Sequence, residues 1–201
     1  MSHYKFVRVN SIFLTAALVL LLPVFAAAQA VTTQLTATEV FDPMNLFGSG
    51  SVGAYTNTGM LTCPGAEPTG NPMQPCPPGS RIHLRGVSGK SKMISQSPMV
   101  GGWMYFEMNV NLDAAGAGRA WGEFRLELDA GGVWEGSWTD DRNRVDDLNV
   151  WAGRGLFIGH GTSGSVEGMQ LRFTETASTF TLLPLAWAGS VDAEILAPPS
   201  Q

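Results

Sequence analysis

The sequence is short of charge. Asp, Glu, Lys and Arg make up only 14% of its 201 residues, with 12 basic against 17 acidic and a formal net charge of −5. A chain this acidic, with no cluster of Lys and Arg, has no electrostatic footprint for nucleic acid. Sustained 3.6-residue periodicity is also missing. Without helices to cross between parallel strands, a parallel α/β sheet is excluded. Beyond residue 30 no apolar run is long enough to span a bilayer as a helix. Histidine is scarce: past His3 only His83 and His160 occur, and neither has the neighbours a zinc site needs.

Cysteine is nearly absent as well. Cys63 and Cys76 flank a Pro- and Gly-rich stretch, PGAEPTGNPMQP, that cannot form regular structure. The spacing is far from C-x-x-C, which argues against a redox or metal pair and for a structural disulfide. Such a bridge would pin a loop that has no core of its own, contributing about 3 kcal/mol through the entropy of the unfolded chain.

What the chain does have begins at its N-terminus. Lys5 and Arg8 precede an apolar run from Ile12 to Ala28, and Ala28-Gln29-Ala30 supplies small residues at a cleavage site. This is the pattern of a secretory signal peptide over residues 1–30, and it implies a secreted or periplasmic protein. Pro23 and the Ala-rich end argue against an uncleaved anchor. Losing Lys5 and Arg8 would take the net charge from −5 to −7. Residues 31–201 suit one domain, with a less regular, disulfide-pinned part at 31–80.

There are 24 glycines, and apolar and polar residues alternate with period two. Ala120–Arg142, AWGEFRLELDAGGVWEGSWTDDR, reads as a hairpin turning at Asp129-Ala130-Gly131-Gly132. Trp103–Leu112 alternates most cleanly, with Met104, Phe106, Met108, Val110 and Leu112 on one face. Arg81–Arg85, Lys90–Gln96, Trp151–Gly161, the segment after Gly164 and Ala186–Leu196 are further strands. The Thr-rich stretch from Val31 to Thr62 has room for one or two more, but its periodicity is poor. Seven or eight strands after Arg81, joined by short turns, predict an all-β antiparallel fold. The expectation is an up-and-down β-barrel of about eight strands, with a β-sandwich as the alternative.

Motifs that carry chemistry are few. Gly159–Gly164, GHGTSG, matches G-x-G-x-x-G, but a β pattern follows where a dinucleotide site needs a helix. No serine sits in a G-x-S-x-G frame, and no triad can be assembled. Asp140, Asp141, Asp146 and Asp147 are interleaved with Arg142 and Arg144, so they read as a charged turn and not a calcium loop. Glu123, Glu135 and Glu175 are candidate carboxylates for glycoside chemistry, with no basis for choosing a pair. The sequence does not identify a catalytic residue, and no metal site or cofactor is expected. The six tryptophans lie between Trp103 and Trp187, and Trp121, Trp134 and Trp138 could line an apolar or carbohydrate-binding pocket. With Glu135 they form the candidate ligand-binding set.

WGEFRLELDAGGVWEGSWTD followed by GRGLFIGHGTSGSVEGMQLRFTET resembles small bacterial proteins of the allene oxide cyclase and dirigent-like superfamily, over roughly Trp103–Leu196. The resemblance rests on a rhythm, G-x-W-x-G-x-W and then glycine-rich strands. It implies an eight-stranded barrel with an apolar interior, often oligomeric, whose plant relatives guide cyclisation by shaping a cavity. No motif carries their catalytic residues onto this chain. Three readings follow: an exported barrel binding a small apolar molecule, a cyclase- or isomerase-like enzyme using the same cavity, and a structural module with a filled barrel.

Overall fold

The computed structural model describes residues 30–65, 76–77, 79–145, 150–182 and 185–198. The expected signal peptide up to Gln29, most of the stretch between the cysteines, and Asp146 and Asp147 lie outside them. Nine strands are present among the described residues: β1 Val31–Phe41, β2 Ala54–Thr62, β3 Ile82–Ile94, β4 Gly102–Leu112, β5 Gly118–Leu128, β6 Gly132–Arg144, β7 Trp151–Gly164, β8 Gln170–Leu182 and β9 Leu185–Ala197.

From β3 to β9 each strand pairs antiparallel with the next in sequence. The β5–β6 hairpin turns at Gly131 and Gly132, whose φ angles of 88° and 123° L side chains rarely adopt. β1 pairs along its whole length with β9, from Val31↔Ala197 to Phe41↔Trp187. Its last residues also pair with β3, as Thr38↔Ile94, Glu39↔Met93 and Val40↔Lys92. These three pairs close the sheet into a ring. β2 is appended outside that ring, on the stretch of β3 that runs from His83 to Lys90.

This corrects the expected fold. The sheet is a nine-stranded antiparallel ring, and neither an eight-stranded up-and-down barrel nor a sandwich. The difference lies in one edge of β3, which is divided between two partners: β2 takes its first part and β1 its last. Arg81–Arg85 and Lys90–Gln96, read separately in the sequence, belong largely to this one strand. Periodicity reports which face of a strand is apolar. It is silent on which strands share an edge.

Inside the ring, alternation sets the core. In β4, Met104, Phe106, Met108, Val110 and Leu112 are all buried. Two aromatic clusters fill the interior. Phe157 stacks on Phe173 at 4.1 Å and on Trp138 at 5.6 Å, with Phe124 edge-on to both phenylalanines. Phe41 stacks on Trp187 at 4.4 Å and meets Phe106 and Tyr55 edge-on. Each such phenylalanine contributes about 1.5–3 kcal/mol through burial. The Cys63–Cys76 disulfide is formed, with Cα atoms 5.6 Å apart.

Candidate functional site

The four residues picked out as a ligand-binding set fall on two sides of the sheet. Trp134 and Trp138 point inward and are buried. Trp134 donates its indole N–H to the Met99 carbonyl at 2.9 Å, which fixes the segment leading into β4. Trp121 and Glu135 stand on the outside. No pocket brings the four together.

On the outer face, Trp121 lies under the Arg85 guanidinium, 5.1 Å from its ring centroid, a cation–π contact. Arg85 is itself held by the carbonyls of Leu84 and Val110. On the same outer face an open groove of about 650 Å³ runs across β5, β6 and β7, lined by Glu123, Arg125, Glu135, Ser137, Ile158 and His160. Antiparallel register builds it: Arg125, Glu135 and His160 form one row, and Glu123, Ser137 and Ile158 the next. Arg125 donates to both Glu127 and Glu135, and these bonds raise its pKa. Ile158 is 58% exposed, an apolar patch within a polar groove.

The interior holds a second cluster. Glu39, Asp140, Arg142 and Glu175 are all buried, around a cavity of about 30 Å³ that Phe106, Trp138, Phe157 and Trp187 also line. The Arg142 Nε–H donates to Asp140 at 2.6 Å, and its Nη2 reaches the Met108 sulfur at 3.7 Å. The Trp187 indole N–H donates to Glu39 at 3.1 Å. Glycines make room for the acids: a Cβ at position 153 would collide with the Asp140 carboxylate, and one at 189 with Glu175. Burial pushes Glu175 well above the ordinary carboxyl range, and the negative charge of Glu39 adds to the shift. Burial likewise raises Glu39, opposed by hydrogen bonds from Ser91 and Trp187. Asp140 is raised by burial and held back by Arg142. Five buried atoms have no hydrogen-bond partner here: Glu39 Oε2, Trp138 Nε1, Asp140 Oδ1, Arg142 Nη1 and Glu175 Oε1.

Asp140 and Arg142 had read as part of a charged turn; they sit instead on the inward face of β6, which runs on to Arg144. Among the described residues no three His, Cys, Asp or Glu side chains are grouped to hold a metal ion, and no helix is long and apolar enough to cross a membrane.

A 30 Å³ cavity is an order of magnitude below the several hundred Å³ of a typical ligand pocket. That overturns the expected apolar-ligand chamber and the cyclase-like use of it. No family model, curated protein or solved structure matches the chain, so the resemblance to the allene oxide cyclase and dirigent-like superfamily is withdrawn along with the barrel it implied.

Proposed function

We propose that the protein is exported and acts as a non-catalytic module that binds carbohydrate along the outer groove of β5, β6 and β7. The observation that carries this reading is the placement of open space. The interior is packed to a 30 Å³ remnant, while the groove outside has about 650 Å³. Its chemistry suits a sugar polymer: carboxylates, a guanidinium, an imidazole and a hydroxyl to pair with sugar hydroxyls, with the exposed Ile158 side chain among them for the apolar face of a sugar to pack on. The signal-like N-terminus and the disulfide support export, since disulfides persist in oxidising compartments.

Co-sedimentation with chitin, cellulose and peptidoglycan tests the proposal. The expected result is retention on at least one polymer, reduced at least tenfold by His160→Ala and by Glu135→Gln, with unchanged melting temperatures. Retention on none of them, or retention that neither substitution alters, would overturn it. Wild-type melting temperature is expected to stay constant across a panel of small apolar ligands, because the filled interior has no room for them.

A further inference from the structure

The interior acids lie where the ring is most weakly joined. Glu39 is the middle residue of the three-pair seam between β1 and β3, facing Met93 in the register. Its carboxyl points inward, within hydrogen-bonding reach of Glu175 on β8. Every other junction around the ring is far longer; β6 and β7, for example, pair from Gly132↔Gly164 to Arg144↔Trp151. A few main-chain hydrogen bonds therefore close the ring directly over a buried polar cluster.

The cluster is built to hold protons and water. Its five unpartnered atoms include two N–H donors, on Trp138 and Arg142, and three carboxyl oxygens. The cavity between them, about 30 Å³, accommodates about two water molecules, each of which needs two to four polar partners. With all three acids ionised, Arg142 would leave two negative charges uncompensated in a dry interior. One proton shared by Glu39 and Glu175 removes one of them, and a second neutralises the cluster.

We propose that the Glu39–Glu175–Asp140–Arg142 cluster is a hydrated proton-binding site that controls the β1–β3 seam, closed when the glutamates hold protons and loosened when they lose them. The groups facing this pair are known on each side. β3 contributes Ser91, β9 Trp187, and β6 Asp140, Arg142 and Trp138. From β4 and β7 the lining residues are Met104, Phe106, Met108, Gly155 and Phe157, with no charge among them. Arg142 is thus the sole cation among the described lining residues, and it is already engaged with Asp140. Losing a proton sets Glu39 and Glu175 against each other across the interior. Glu39 is the one whose backbone sits in the three-pair ladder, so the repulsion falls on the seam.

Amide hydrogen exchange of the whole protein, followed by mass spectrometry from pH 5 to pH 9 and normalised to intrinsic rates, tests this. Protection at Thr38–Val40 and Lys92–Ile94 is expected to fall at least tenfold as pH rises, while the β6–β7 ladder keeps its protection. In Glu175→Gln and in Glu39→Gln the fall should shrink to less than threefold. Either variant suffices if the other does not fold. A seam whose protection is independent of pH would overturn the proposal. So would equal losses in the seam and in β6–β7, or a fall that persists in a folded variant.

Discussion

The two halves of the interior obey different physics. Around Phe124, Phe157 and Phe173 the contacts are apolar, one stacked and two edge-on, and carry no titratable group. Around Glu39, Asp140, Arg142 and Glu175, strands β1, β6 and β8 turn charged groups inward, and five polar atoms are left unpartnered. Apolar burial stabilises in proportion to area, whereas a buried charge stabilises nothing unless its partner is present. One half holds the ring together. The other makes its stability conditional.

Single substitutions should separate the halves. Phe124→Ala, at a residue that does not line the acid cavity, leaves a void beside the stack and is expected to destabilise by about 3–5 kcal/mol in urea unfolding, equally at pH 5 and pH 8. Arg142→Met leaves Asp140 buried without its partner, at a similar cost of about 3–5 kcal/mol near neutral pH. There the double variant Arg142→Met/Asp140→Leu should regain most of that loss, because no charge remains to be paired. A double variant that is no better than Arg142→Met would place the ion pair among the net stabilisers.

Replacing both cysteines by alanine is expected to cost about 3 kcal/mol with no change in pH dependence, since the Cys63–Cys76 bridge acts through the entropy of the unfolded chain and carries no titratable group. The pH profile itself is the next test. Glu39, Asp140 and Glu175 are all raised by burial, so the unfolded chain gives up these protons at lower pH than the folded one does. Stability from these groups is full below the ordinary carboxyl range, about pH 4, and is lost as pH rises through their raised folded-state values. Melting temperature should therefore decline from pH 5 to pH 8, and Glu175→Gln should flatten the decline. A rise with pH would show that the acids are charged and well paired in the fold. The smallest effect belongs outside. Arg119 and Asp141, 71% and 70% exposed, form a surface pair, and Asp141→Asn should change stability by less than about 0.5 kcal/mol.

The apolar half was legible in the sequence. Strict alternation in Trp103–Leu112 and Ala120–Leu128 announces strands and identifies their buried face, and the structure buries those residues. The polar half was written there too, in a form that charge obscured. Asp140 and Arg142 continue the phase of Trp134 and Trp138, and Glu175 continues that of Leu171 and Phe173. Glu39 falls between Ala37 and Phe41 in the same way. An ionisable residue in the core phase of a strand is the available signal, and the neighbouring run of charges hides it by resembling a solvated turn. Closure was not legible. β1 is Thr-rich with poor alternation, and nothing local in it specifies a partner more than a hundred residues away. Of the four residues in the candidate ligand-binding set, Trp121 and Glu135 lie on the outer face. Parity alone separates Glu135 from Trp134 and Trp138, since odd and even positions in one strand face opposite ways, whereas the side taken by Trp121 needs the β5–β6 register, which sets it opposite Thr139.

The pairing of β1 with β9 has a consequence for how the molecule comes into being. Val31 opposes Ala197, so the first strand must wait for the last before its ladder can form. Hairpins from β3 to β9 can zip in order as the chain emerges, but the ring joins only once synthesis, or translocation, has delivered the C-terminal strand. Until then the edge of β8 and the inner face of the unclosed sheet are open to other chains. Contacts of such long sequence separation slow folding, and a chain truncated before Leu185 should remain an open, association-prone sheet.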